Sequence, residues 1–63
     1  MIADIQGMIV SGELKLGARF PAERELAQRF GVSRNTVRAA IQYFVMIGVA
    51  ATKAGSGTYL VNN

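Results

Sequence analysis

The chain has 63 residues, 51% of them apolar, and seven lysines and arginines stand against four acids for a net charge of +3. A chain this short buries only about 60% of its unfolded surface, which allows one thin core and no deep ligand pocket. Its apolar content excludes disorder by composition, no apolar run approaches the roughly 18 residues of a membrane span, and the absence of cysteine excludes a disulfide framework and thiolate metal sites.

The opening Met1-Ile2-Ala3-Asp4-Ile5-Gln6 has no basic n-region and no cleavage site, so no signal peptide is expected. A first helix is predicted from Met1 to about Val10. Ile2, Ile5 and Ile9 recur at helical spacing as a core stripe, and Met8 widens it. Gly12 and Gly17 break that pattern, so Glu13-Leu14-Lys15-Leu16 reads as a loop leading to a very short strand near Arg19-Phe20. Pro21 sets the next boundary, because the residue before a proline avoids helical geometry.

A second helix is predicted from about Glu23 to Phe30, with Leu26, Ala27 and Phe30 inward. Glu25 occupies the N3 place of a capping box, but Ala22 lacks the side-chain oxygen the other half requires. Gly31 suits a left-handed C-terminus. Val32 is a turn residue able to point inward, and Ser33 is a good N-cap. The third helix then spans 34–47 and stops at Gly48, with Val37, Ala40, Ile41 and Phe44 facing the core. Tyr43 and Met46 are rotated away from that stripe. Beyond it, 49–53 and 58–61 are strand-like around a turn at Ala54-Gly55-Ser56-Gly57, and Asn62-Asn63 reads as a frayed polar end.

Two helices joined by a tight glycine-containing turn form a helix-turn-helix, whose second helix enters the major groove N-terminus first. The exposed residues there are Ser33, Arg34, Asn35, Thr36 and Arg38; all are donors and none is acidic. The acids Asp4, Glu13, Glu23 and Glu25 all precede Leu26, so the later half of the chain is purely basic, a field that attracts polyanions. A helix N-terminus adds partial positive charge toward a phosphate. The bland alternative is an ordinary helical hairpin with Arg34 and Arg38 merely solvated. A β-hairpin directly after the third helix weighs against it, because small residues at such a tip let backbone approach the edge of a duplex.

The sequence resembles the GntR family of bacterial regulators. The resemblance rests on Gly17-Ala18-Arg19-Phe20-Pro21-Ala22-Glu23-Arg24-Glu25-Leu26-Ala27 and continues through Phe30 to Arg38. It resumes at Gly48-Val49 and ends on Gly55-Ser56-Gly57-Thr58-Tyr59-Leu60-Val61. It implies a winged helix-turn-helix, mainly α with a small antiparallel β-hairpin, in the order helix, strand, helix, helix, strand, strand over 1–63. It implies a recognition helix 34–47 in the major groove and a wing 49–61 at the minor groove. Arg24 joins Arg34, Thr36 and Arg38 among the implied contacts, and Gly55 lies at the wing tip; Lys53 and Ser56 complete the wing set. The chain departs from the family pattern at Ala22, Ala39, Ala54 and the apolar run Tyr43 to Ile47.

The implied protein is a cytoplasmic transcription repressor acting on a palindromic double-stranded operator. It would act as a homodimer, with a small-molecule effector bound by a C-terminal domain outside this chain. No cofactor, metal or membrane is expected. Two other readings stand beside it. A winged helix can be a protein-docking module, with Tyr43 to Ile47 as its contact. An enzyme is the more distant, since the chain has no histidine, Ser33 has no nearby base, and Glu23 and Glu25 point apart on their helix.

Overall fold

The computed structural model describes residues 1–62. Its elements are α1 (Ile2–Val10), α2 (Glu23–Phe30), α3 (Arg34–Met46), β1 (Ala50–Lys53) and β2 (Gly57–Leu60). The three helices and the antiparallel hairpin enclose one core, in the winged helix-turn-helix arrangement. The expected boundaries hold to within a residue, with α3 ending at Met46, β1 starting one residue later and β2 shifted back by one position.

Ile5 and Met8 carry the buried side of α1, while Ile2 sits at its exposed margin. The segment after α1 is more than the connector its glycines suggest. Ser11 Oγ donates to the Met8 carbonyl at 3.2 Å, and the Leu14 amide returns to the same carbonyl at 2.9 Å. That reversal drops Leu14 into the core at 4% exposure, whereas Leu16 stays outside.

The short strand expected near Arg19-Phe20 is instead a single antiparallel bridge from Arg19 to Tyr59. Its hydrogen bonds are well formed: Leu60 N–H to Ala18 O at 2.9 Å and Phe20 N–H to Thr58 O at 2.7 Å. It goes no further because Pro21, its φ fixed by the ring, and Ala22 lead the chain into α2. At the other end, Gly17 turns the chain with φ of 85°.

Ala22 leads into α2 with extended geometry and no side-chain cap, as its methyl dictates. The termini of α2 and α3 close alike. Gly31 (φ 66°) and Gly48 (φ 79°) take the left-handed conformation. The following residue then donates back five positions, Val32 N–H to Ala27 O at 3.1 Å and Val49 N–H to Phe44 O at 2.9 Å. This closure satisfies carbonyls that a helix end would leave orphaned. Val37, Ala40, Ile41 and Phe44 are all buried, and Tyr43 and Met46 lie outside, 41% and 82% exposed. Tyr43 keeps an edge-on contact with Phe44, ring centres 5.3 Å apart.

In the hairpin, Ala50 faces Leu60 and both are buried, so the base of the wing closes the core. Gly57, at φ 118°, lies under the Arg19 side chain; a Cβ there would come within 2.7 Å of Arg19 Nε. The Val49 carbonyl accepts from both Val61 and Asn62 amides, at 2.9 and 3.1 Å. Asn62 is therefore tied down rather than frayed; Asn63 lies outside the described residues.

Two carboxylate–arginine pairs link elements across the surface. One joins Glu13, after α1, to Arg29 of α2 through both carboxylate oxygens, with Nη2 to Oε1 at 2.8 Å. The hydrogen bond from Arg29 holds the Glu13 carboxyl below its ordinary range against the cost of burial, with the positive charge of Arg29 adding to the effect.

Leu14→Ala should cost about 2–5 kcal/mol by opening a cavity in a core with little to spare, whereas Met46→Ser should change stability by less than about 0.5 kcal/mol. Thermal melts followed by circular dichroism compare them, and equal melting temperatures would contradict the burial of Leu14. The Glu13–Arg29 pair makes a separate prediction about acid. Glu13 titrates lower folded than unfolded, so its contribution is present above about pH 4.5 and fades as the pH falls below that. Both groups are exposed, so the effect is small and salt-screened. Glu13→Gln should flatten the acid limb of the melting-temperature curve at low salt; superimposable curves would remove the pair from the stability account.

Candidate nucleic-acid interface

The helix-turn-helix face is built by the cap of α3. Ser33 has extended geometry, and its Oγ accepts from the Thr36 amide at 3.1 Å. Its hydroxyl also meets that of Thr36 at 2.9 Å. Both hydroxyls are thereby committed to holding the first turn together. The exposed partners they leave free are the side chains of Arg34 and Asn35, which have no side-chain hydrogen bond among the described residues. No acid lies in the first turn of α3.

Arg38, one turn further on, is not free. Its guanidinium lies against Glu23 at the start of α2, with Nε to Oε2 at 3.1 Å and Nη2 to Oε1 at 3.0 Å. This hydrogen bonding pulls the Glu23 carboxyl below its ordinary range, and attraction from Arg38 and then Arg34 adds to it against the cost of burial. Glu23 is therefore ionised at neutral pH and neutralises part of the basic face. Arg24 follows it in α2 and is exposed.

The wing contributes Lys53, Gly55 and Ser56, all exposed. Lys53 Nζ lies 5.2 Å from the centre of the Tyr59 ring, a cation–π arrangement, and has no acidic partner among the described residues. Ser56 N–H closes the turn onto the Lys53 carbonyl at 3.0 Å. A cleft of about 330 Å³ separates the base of the wing from the helices, lined among others by Arg19, Glu23, Arg38, Gln42, Thr52 and Thr58.

Every residue singled out from the sequence is therefore solvent-accessible. Ser33, Arg34, Asn35, Thr36 and Arg38 are all exposed at the start of α3, and the ion pair ties Glu23, the neighbour of Arg24 at the start of α2, to Arg38. Arg19, Gln42, Thr52 and Thr58 belong to the cleft and carry no pattern that would have revealed it. The Glu23–Arg38 pair spans 15 positions and depends on how two helices cross, which no local spacing encodes. Among the described residues no cluster of potential ligands could hold a metal ion, and no helix is long and apolar enough to cross a membrane.

This arrangement has close parallels. The chain is 40% identical over 60 residues to a putative L-lactate dehydrogenase operon regulatory protein of Escherichia coli, covering 94% of the chain and 23% of that protein. It is 47% identical over 60 residues to the E. coli mannosyl-D-glycerate transport/metabolism system repressor MngR, covering 94% of the chain and 25% of the repressor. The chain thus spans about a quarter of the length of these curated relatives. Among solved structures, a GntR family transcriptional regulator from Listeria monocytogenes superposes with a TM-score of 0.89 at 27% identity, over 98% of this chain and 54% of that one. The DNA-binding domain of AraR, crystallised in complex with operator ORR3, superposes with a TM-score of 0.84 at 37% identity, over 95% of this chain and 72% of that one. The family described as bacterial regulatory proteins, gntR family, matches residues 1–60, and with that match the chain belongs to the GntR family as one of its winged helix-turn-helix domains.

Proposed function

We propose that the chain binds duplex DNA sequence-specifically as the reading head of a bacterial transcription regulator. In this reading α3 enters the major groove by its N-terminus and the hairpin follows the adjacent minor groove. The observation that carries it is the acid-free start of α3, where Arg34 and Asn35 stand unengaged on a helix end with its own positive dipole. The likeness to a domain crystallised on its operator supports the same placement. Arg34, Asn35 and Arg38 would reach base edges, Ser33 and Thr36 would shape the helix end against phosphate, and Arg24, Lys53, Gly55 and Ser56 would follow the sugar–phosphate backbone. No catalytic step is assigned to any residue.

The longer relatives supply the rest of the proposal. The whole protein would be a cytoplasmic homodimer on a palindromic operator, with a small-molecule effector bound by a domain following this one. Repression fits the MngR relative, which is named a repressor. Contact with the remainder of such a protein is placed at Tyr43, Met46 and Ile47, the exposed members of the apolar run.

Selection from a randomised duplex library, followed by titration in rising salt, tests the DNA reading. The isolated chain should bind in the micromolar range or weaker, with affinity falling steeply as salt rises. Arg34→Ala should cost about 1–3 kcal/mol on the selected duplex and relax one base position. Lys53→Ala should weaken binding evenly across sequences and lower the salt slope by about one. Binding indifferent to salt, or an Arg34→Ala variant with unchanged specific affinity, would refute the assignment.

A further inference from the structure

Of the arginines at the exposed side of α3, Arg38 is the one already held, and the way it is held has a chemical consequence. A guanidinium carries five N–H groups in one plane. Glu23 takes Nε–H and one N–H of Nη2, so the carboxylate occupies the side of that plane. Of the three left, the second N–H on Nη2 and one on Nη1 project from its end, away from Glu23, and the other on Nη1 lies along the opposite edge. That end is a two-pronged donor with the spacing of guanine O6 and N7 in the major groove.

Glu23 is well fixed for this part. It is the first residue of α2, where the helix dipole favours a carboxylate, and it is 30% exposed against 56% for Arg38. A half-exposed ion pair contributes little to stability, so the pair matters more for where it points the arginine. A carboxylate on a surface that meets phosphate also works against binding, since it repels the backbone at every sequence. Its presence beside the recognition helix is explained if it is exchanged for discrimination.

We propose that Glu23 is a positioning residue that grips Arg38 side-on, so that the end of the guanidinium reads one guanine in each half-site. This rests on the reading of the chain as a duplex-DNA binder. Pre-orienting the arginine removes rotamer freedom before the complex forms. It also restricts Arg38 to a planar, bidentate partner, which lysine, a point donor, could not replace.

The test compares the wild-type chain, Glu23→Gln and Arg38→Lys. Each is taken through selection from a randomised duplex library and then titrated on the wild-type consensus, on an unselected duplex, and on the consensus carrying 7-deazaguanine at the discriminated position. Wild type should prefer guanine there by about tenfold and lose that preference when N7 is removed. Glu23→Gln should erase most of the preference while binding the unselected duplex as well as wild type or better, because a negative charge has gone. A merely structural role would not produce that split. Arg38→Lys, which leaves α2 untouched, should erase the same preference with the salt slope kept, and it carries the test if Glu23→Gln melts early. A Glu23→Gln chain that melts like wild type and keeps the guanine preference overturns the proposal, as does one that loses affinity evenly on all three duplexes. If wild type enriches no sequence, the DNA reading itself fails. If the guanine responds to Arg38→Lys and not to Glu23→Gln, the DNA reading stands and the positioning role of Glu23 falls.

Discussion

The reversal between α2 and α3 takes three residues, and each does a different physical task. Gly31 adopts a left-handed conformation that a side chain would strain. Val32 is half-buried against the core and donates back to Ala27. Ser33 caps the next helix. Together they fix how α3 leaves α2, and everything with a chemical role depends on that direction. It determines that Val37, Ile41 and Phe44 meet the core while Arg34 and Asn35 meet solvent. It also brings the first residue of α2 within reach of Arg38, so the ion pair on the candidate face is a product of the turn.

The core that supports this turn is small and is closed from unexpected directions. Ile5 and Met8 of α1 are joined by Leu14 from the following loop and by the facing pair Ala50 and Leu60 at the root of the wing. Placing the hairpin's inward residues in the same core as the helices keeps wing and recognition helix in one rigid relation. The bridge at Arg19–Tyr59 adds a second line of hydrogen bonds beside the β1–β2 ladder. No cysteine is needed to staple a domain of this size when loop and wing both contribute apolar side chains.

The three helices, the cap at Ser33 and the stop at Gly48 were legible in the sequence because each depends on residues within a turn of one another. The stripe of Val37, Ile41 and Phe44 is a property of helical spacing alone, and so is the outward rotation of Tyr43 and Met46. Leu14 was not legible. Between Gly12 and Gly17 there is no period to follow, and its burial comes from a backbone reversal onto Met8. The strand at Arg19–Phe20 was sensed but overextended, since Pro21 and Gly17 leave room for one bridge only. The candidate face was legible as a set of donors on α3. Its electrostatics were not, because the partner of Arg38 comes from the start of another helix.

Gly57 separates two parts of the wing that could otherwise vary together. Its missing side chain is where Arg19 crosses the hairpin, so this position is locked to the segment before α2. Ala54, Gly55 and Ser56, just before it, are exposed and carry none of the core. The tip is therefore a module with a fixed socket. A substitution at Ala54 or Ser56 therefore alters what the wing presents to its surroundings while the core and the register below Gly57 stay as they are.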